Sequence, residues 1–238
     1  MIALLTSKLA TYEKDENGNK IPIALKNENE ILANIKTFLK ARNRIVYVAN
    51  FQNDFEENDF RSSIIFESFK KAGIDFKEKF VLDARNKDKA KEIVGDANLI
   101  ILSGGKCTSQ LEFFEEINLK SMLEKFNGVV IGISAGTMNL CETVANFPED
   151  VSDISSPRWL SGLGFVNEII IPHFDGEAKT YQIECGDFDI VKKYIIPMSK
   201  NKNFLALPNG SYLLFENGKQ KIFGAAYRIV NKKIIKIN

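Results

Sequence analysis

Val129-Val130-Ile131-Gly132-Ile133-Ser134-Ala135-Gly136-Thr137-Met138-Asn139 reads as a buried strand that turns sharply into a helix, with one nucleophile at the corner. The run from Val129 to Ile133 is short, apolar and β-branched, the composition of a central strand in a parallel sheet covered on both faces. Gly132-Ile133-Ser134-Ala135-Gly136 has the G-x-S-x-G spacing. The spacing has a mechanical reason: the serine sits on a strained turn, and a side chain at either glycine would strike the neighbouring strand or helix. Such a turn lifts the Ser134 hydroxyl clear of the sheet. It also leaves the Ala135 amide, at the start of the helix, aimed at the place where a tetrahedral oxyanion forms.

Upstream, strand and helix patterns alternate. Ile2 to Thr6, Arg44 to Phe51, Phe76 to Leu82 and Asn98 to Leu102 read as strands. Helical periodicity covers Asn27 to Ala41, with Asn27 as N-cap, then Asp59 to Ala72, stopped by Gly73, and a charged stretch from Asp88 to Val94. The polar segment Glu13 to Lys20 carries an Asn-Gly turn and reads as a surface loop. Alternation of this kind implies right-handed crossovers and a parallel, doubly wound sheet.

Ser103-Gly104-Gly105-Lys106-Cys107-Thr108 follows the fourth of these strands, at the sheet edge where ligands bind in open α/β folds. The upstream glycine spacing of a phosphate-binding loop is absent, so the segment reads as a glycine-rich turn before a helix from Thr108 to Phe126. Its strand is the natural neighbour of the elbow strand, which makes the Gly105 amide a second candidate oxyanion donor.

Past the elbow, Phe147 to Asp153 forms an acidic, proline-marked loop, and Trp159 to Phe165, with two glycines, closes it. Asn167 to Ile171 reads as a strand leading into Pro172-His173-Phe174-Asp175, expected on the same ligand-binding edge as the elbow. His173 is the only histidine in the chain. A serine hydroxyl needs a base to become nucleophilic, and imidazole is the side chain suited to that task near neutrality. A helix from Lys179 to Ile195, interrupted near Cys185, precedes short strands at Phe204 to Leu207, Tyr212 to Phe215, Lys221 to Phe223, Ala225 to Val230 and Lys233 to Ile237. They read as antiparallel strands completing one side of the fold, with Asn217-Gly218 as a hairpin turn and lysines guarding an edge.

The 238 residues, 45% hydrophobic and 26% charged, suit one large α/β domain. A formal net charge of +1 without a basic stripe gives no footprint for nucleic acid. Three cysteines, Cys107, Cys141 and Cys185, lack metal-ligand spacing and fit a reducing compartment. No segment has the apolar length of a membrane span, so a cytoplasmic protein without membrane partners is expected. Oligomeric state, monomer or homodimer, is left open.

Together, G-I-S-A-G after a V-V-I strand, S-G-G about thirty residues before it, P-H-F about forty after it, and the later L-P-N-G-S-Y segment resemble the family of peptidase E, the alpha-aspartyl dipeptidase, and cyanophycinase. The likeness runs from the first strand to about Phe215. It implies a fold related to class I glutamine amidotransferases: a three-layer α/β sandwich with a mostly parallel sheet. It also implies a serine peptidase of short peptides or small acyl-amides, working without metal or cofactor. By the same resemblance Ser134 is the nucleophile, His173 the base, and Gly105 and Ala135 supply the oxyanion amides.

Two positions depart from the family pattern. Where peptidase E has glutamate in L-P-E-G-N as proposed third triad member, this chain has Asn209 in Leu207-Pro208-Asn209-Gly210-Ser211. The orienting group is therefore Asn209, or else Asp175, Glu177 or Glu149. The segment that carries an aspartate-matching arginine in the dipeptidase reads Ala178-Lys179-Thr180-Tyr181-Gln182. Competing readings are an α/β-hydrolase-type esterase with Glu149, Asp150 or Asp153 as acid, a glutamine amidotransferase, for which Cys141 lies too far past the elbow, and a weak or inactive relative that binds small molecules or peptides.

Overall fold

The computed structural model describes residues 1–147, 158–174 and 190–238. Its centre is a seven-stranded sheet in the order β13-β12-β1-β7-β6-β4-β5. The strands are β1 (Ile2–Thr6), β4 (Arg44–Val48), β5 (Glu78–Leu82), β6 (Leu99–Leu102), β7 (Val129–Ile133), β12 (Tyr212–Glu216) and β13 (Lys219–Phe223). The first five pair in parallel, while β12 adds antiparallel to β1, and β13 to β12. Asn217 and Gly218 join the last two at positive φ, as a type I′ hairpin requires.

Two cores follow from the period of two along each strand. Leu4, Ile45, Tyr47, Ile101 and Ile131 meet helices α1 (Ile31–Phe38) and α2 (Phe55–Lys71) through Ile31, Ile35, Ile65 and Phe69. Ala3, Leu5, Val46, Ile100 and Val130 face the other way, toward α3 (Ala90–Gly95), α4 (Cys107–Glu116), α5 (Leu119–Glu124) and α6 (Ala135–Leu140). The result is helices on both faces of a mostly parallel sheet, the fold class expected from the sequence.

Several expectations are corrected. The C-terminal quarter adds antiparallel strands as expected, but it divides them between two sheets. A second sheet, β10-β11-β14-β15, takes β10 (Ile169–Ile171), β11 (Phe204–Ala206), β14 (Tyr227–Val230) and β15 (Lys233–Lys236). It docks on the first through Ile170, Leu205 and Leu207, which enter the core beside Leu213 and Ala226. The strand before His173 therefore belongs to this smaller sheet rather than to the sheet that carries the elbow. Glu13 to Lys20 is a hairpin of β2 (Tyr12–Lys14) and β3 (Lys20–Pro22). Trp159 is no loop residue either, since β9 (Arg158–Ser161) pairs antiparallel with β8 (Thr143–Asn146).

Helix bounds also shift where capping overrides periodicity. Asp54 accepts the Glu57 N–H at 3.2 Å, so α2 begins four residues before Asp59. Asn29 and Glu30 take positive φ, which delays α1 to Ile31. Asn118, also at positive φ, splits the helix expected over Thr108 to Phe126. The helix expected from Lys179 lies mostly outside the described residues. Its described end, 190–198, is helical.

Candidate active site

The carboxyl ends of β1, β4, β6 and β7 share one edge of the main sheet, and each is followed by a polar or glycine-rich segment: Ser7, Asn50, Ser103-Gly104-Gly105 and Ser134. Ser134 has φ 52 and ψ −109, a region that costs a non-glycine residue on the order of 1–3 kcal/mol and persists only when its surroundings impose it. They do so through close packing. A Cβ at Gly132 would come within 2.8 Å of Gly136 O, and one at Gly136 within 2.2 Å of Leu102 O. Both neighbours are backbone and cannot rotate away. Gly136→Ala is expected to destabilise the fold by about 2 kcal/mol or more, read as a lower urea midpoint at unchanged slope. An unchanged midpoint would show that β6 and α6 can part at no cost.

The elbow is tied to the end of β1. Thr6 O accepts from Ser134 N–H at 3.0 Å and from the Thr137 hydroxyl at 2.8 Å. Thr6 and the adjacent Ser7 also reach the Leu207–Ser211 segment: the Thr6 hydroxyl donates to Ser211 O at 3.1 Å, and the Ser7 hydroxyl to Leu207 O at 2.7 Å. Pro208 to Ser211 forms a turn closed by Ser211 N–H on Pro208 O, with Gly210 at φ 82. Asn29 holds that turn from outside by donating to Gly210 O at 3.0 Å.

His173, at φ 58, stands just beyond β10. Phe174 N–H donates to Leu207 O, which fixes the end of β10 against the Asn209 turn. At the base of the strand, Arg228 from β14 forks onto both oxygens of Glu168. The imidazole Nε2 lies 2.9 Å from Ser134 Oγ, and Nδ1 lies 2.8 Å from Asn209 Oδ1. An amide oxygen only accepts, so Nδ1 carries the proton and Nε2 turns its lone pair to the serine. Burial holds the His173 pKa below its ordinary 6.5, the Asn209 hydrogen bond pushes it back up, and the Lys8 charge adds to the lowering. The ring is therefore neutral at pH 7.

Gly104 presses on the elbow, since a Cβ there would sit 3.3 Å from Ser134 Cβ. Gly105 follows at φ 148, and its N–H has no acceptor among the described residues. Ala135 N–H belongs to the first helical turn, whose amides lack intrahelical partners. The other candidates for an orienting carboxylate, Glu149, Asp175 and Glu177, lie outside the described residues, as do Asp150 and Asp153. Among the described residues no cluster of three His, Cys, Asp or Glu side chains is arranged to hold a metal ion. Cys141 is buried, and burial pushes its thiol pKa up, the reverse of what a cysteine nucleophile needs. No helix among the described residues is long and apolar enough to cross a membrane.

A cavity of about 300 Å³ opens on Ser134, His173, Gly104 and Gly105. Lys8, Lys20 and Arg61 also line it, with Tyr12 and Tyr47. The lysine ammonium groups lie 5.3 and 5.2 Å from the Tyr12 ring centre, and Arg61 pairs with Glu57. These cations come from three separate elements, and the sequence carries no local signal for their convergence. A larger hollow of about 650 Å³ lies at the amino ends of β6 and β7, lined by Val94, Ile117, Met122 and Phe126. It is at the opposite edge from Ser134 and contains no histidine, so the smaller cavity is the candidate active site.

Residues 23–223 match the model of peptidase family S51. Among solved structures the fold is similar to a peptidase from an acI-B1 Actinobacterium, with TM-score 0.65 and 16% identity over 100% of this chain and 93% of that one. It is also similar to a protein assigned as a peptidase E from Listeria monocytogenes EGD-e, with TM-score 0.59 and 12% identity over 93% of this chain and 96% of that one. No curated protein matches. At such identities the structures speak for the fold, whereas the family match spans most of the sequence, elbow and P-H-F segment included: the chain belongs to peptidase family S51 and is a serine-type peptidase.

Proposed function

We propose that the protein hydrolyses short peptides of dipeptide size, with Ser134 as nucleophile, His173 as general base and then general acid, and Asn209 as the group that orients the imidazole. One observation carries this reading: a continuous hydrogen-bonded line from Ser134 Oγ through both ring nitrogens of His173 to Asn209 Oδ1. His173 takes the serine proton as Oγ attacks the scissile carbonyl, and returns it to the leaving amine as the C–N bond breaks. Water then repeats the attack on the acyl-enzyme with His173 again as base. The Gly105 and Ala135 amides stabilise the oxyanion in both halves.

Substrate size follows from the cavity, whose roughly 300 Å³ is at the lower end of small-ligand sites. Lys8, Lys20 and Arg61 in the lining favour peptides that bring a carboxylate into the cavity over those that bring a cation. A panel of di- and tripeptides with neutral, acidic and basic residues, followed by chromatography of the products, tests this. Turnover is expected for dipeptides, slowest for dibasic ones, and absent for casein. Casein cleavage at rates comparable to those of dipeptides would overturn the size argument. A second reading, a binding protein with vestigial chemistry, is favoured by one feature alone, the missing charge at Asn209.

A further inference from the structure

We propose that Asn50 is a positioning residue for the oxyanion-binding turn, acting through the backbone of Gly105 and Lys106 and never touching substrate. The inference rests on the reading of Gly105 given above. Asn50 lies just beyond β4, 1% exposed. Its carboxamide spends both functions on one residue of the turn: Oδ1 accepts from Lys106 N–H at 2.8 Å, and Nδ2 donates to Lys106 O at 2.9 Å. The side chain thereby copies the pairing of a neighbouring strand and fixes both peptide planes that flank Lys106. The Ser109 hydroxyl adds a long contact to Oδ1 at 3.4 Å.

Gly105 is fitted to the same side chain. At φ 148 its missing Cβ would stand 2.4 Å from Asn50 Oδ1 and 2.5 Å from Cγ, so the carboxamide fills the space that any other residue at 105 would need. On the opposite side, Gln110 Nε2 donates to Ser103 O at 2.8 Å and Gln110 Oε1 accepts from Asn139 Nδ2 of α6 at 2.9 Å. The turn is held from β4 on one flank and from the elbow helix on the other. A buried asparagine must be hydrogen-bonded somewhere. This one is satisfied on the turn that lines the Ser134 cavity and whose Gly105 N–H has no acceptor among the described residues. Without it, the two peptide planes that follow Gly105 can rotate and carry the Gly105 backbone, with the N–H on its other side, out of place; displacement of a catalytic group by about 1 Å can cost on the order of a hundredfold.

Asn50→Ala in the full chain tests this with a dipeptide substrate. Expected is a fall in kcat of about tenfold to a hundredfold with KM within about twofold. A peptide aldehyde, which Ser134 captures as a hemiacetal whose oxygen uses the same amides, should lose affinity by the same factor, while a reduced-bond peptide that cannot form the adduct binds unchanged. Asn50→Asp keeps an acceptor for Lys106 N–H and should fall between the two; it also supplies the measurement if the alanine variant does not fold. Unchanged kcat in a folded variant, equal weakening of both inhibitors, or failure of both variants to fold would each overturn the proposal. Wild-type protein that turns over no dipeptide and takes no serine-directed label would instead remove the catalytic reading itself.

Discussion

Replacing Ser134 with alanine should lower kcat by about four to six orders of magnitude, and His173→Ala should cost nearly as much, with the double variant little worse than either. In the proposed mechanism the two side chains, 2.9 Å apart, act as one unit: without the imidazole the hydroxyl keeps its proton, and without the hydroxyl the imidazole has nothing to activate. Wild-type protein should react with a fluorophosphonate, and mass spectrometry should find the adduct on Ser134 alone. Both variants should stay unlabelled. Alanine tolerates the elbow backbone about as well as serine does, so melting temperature should hardly move, and loss of activity through unfolding is thereby separable. Folded wild-type protein that refuses the probe would leave the binding-protein reading standing.

Substitutions at Asn209 should move activity in opposite directions. In the proposed mechanism the transition state carries an imidazolium, and Asn209 Oδ1, 2.8 Å from Nδ1, offers it a dipole where a triad acid offers a charge, while Lys8 repels it. Since His173 works as a base only when neutral, and its pKa is held below 6.5, kcat/KM should rise with pH through that lowered pKa and level off before neutrality. Asn209→Asp places a carboxylate in the same position, raises the pKa, and should shift the acid limb to higher pH while lifting the plateau by tenfold or more. Asn209→Ala removes the acceptor that selects the Nδ1–H tautomer and should cost about a hundredfold. A folded Asn209→Asp with an unmoved limb and no gain would sink the assignment. Loss of activity in Asp175→Asn or Glu177→Gln, with Asn209→Ala silent, would move the orienting group to the segment after the histidine.

The elbow was legible in sequence because its glycines record contacts that admit no side chain: Gly136 lies against Leu102 O, and no other residue type fits there. The parallel strands were legible because burial on both faces makes them continuously apolar. The pairing of Thr143–Asn146 with Arg158–Ser161 was not, since the two strands are separated by an acidic stretch with no tight turn signal. Neither was the break at Asn118, where helical periodicity continues from α4 into α5 and only the left-handed residue interrupts it. In the site, Ser134, His173, Gly105 and Asn209 stood in short motifs. Thr6, Ser7, Asn50, Lys8, Lys20 and Arg61 did not, because each matters through a neighbour more than forty residues away or through convergence in space.

The position of β1 between β7 and β12 bears on how the chain is made. The second to sixth residues pair with residues 129–133 on one side and 212–216 on the other. A nascent chain thus holds Ile2 to Thr6 with one flank bare until residues 212–216 have left the ribosome, and pairings this remote in sequence form slowly. Thr6 and Ser7 also anchor the Asn209 turn. On the proposed reading, closing that seam also sets the turn that orients the imidazole, so a chain made only as far as the elbow should carry a chemically quiet serine.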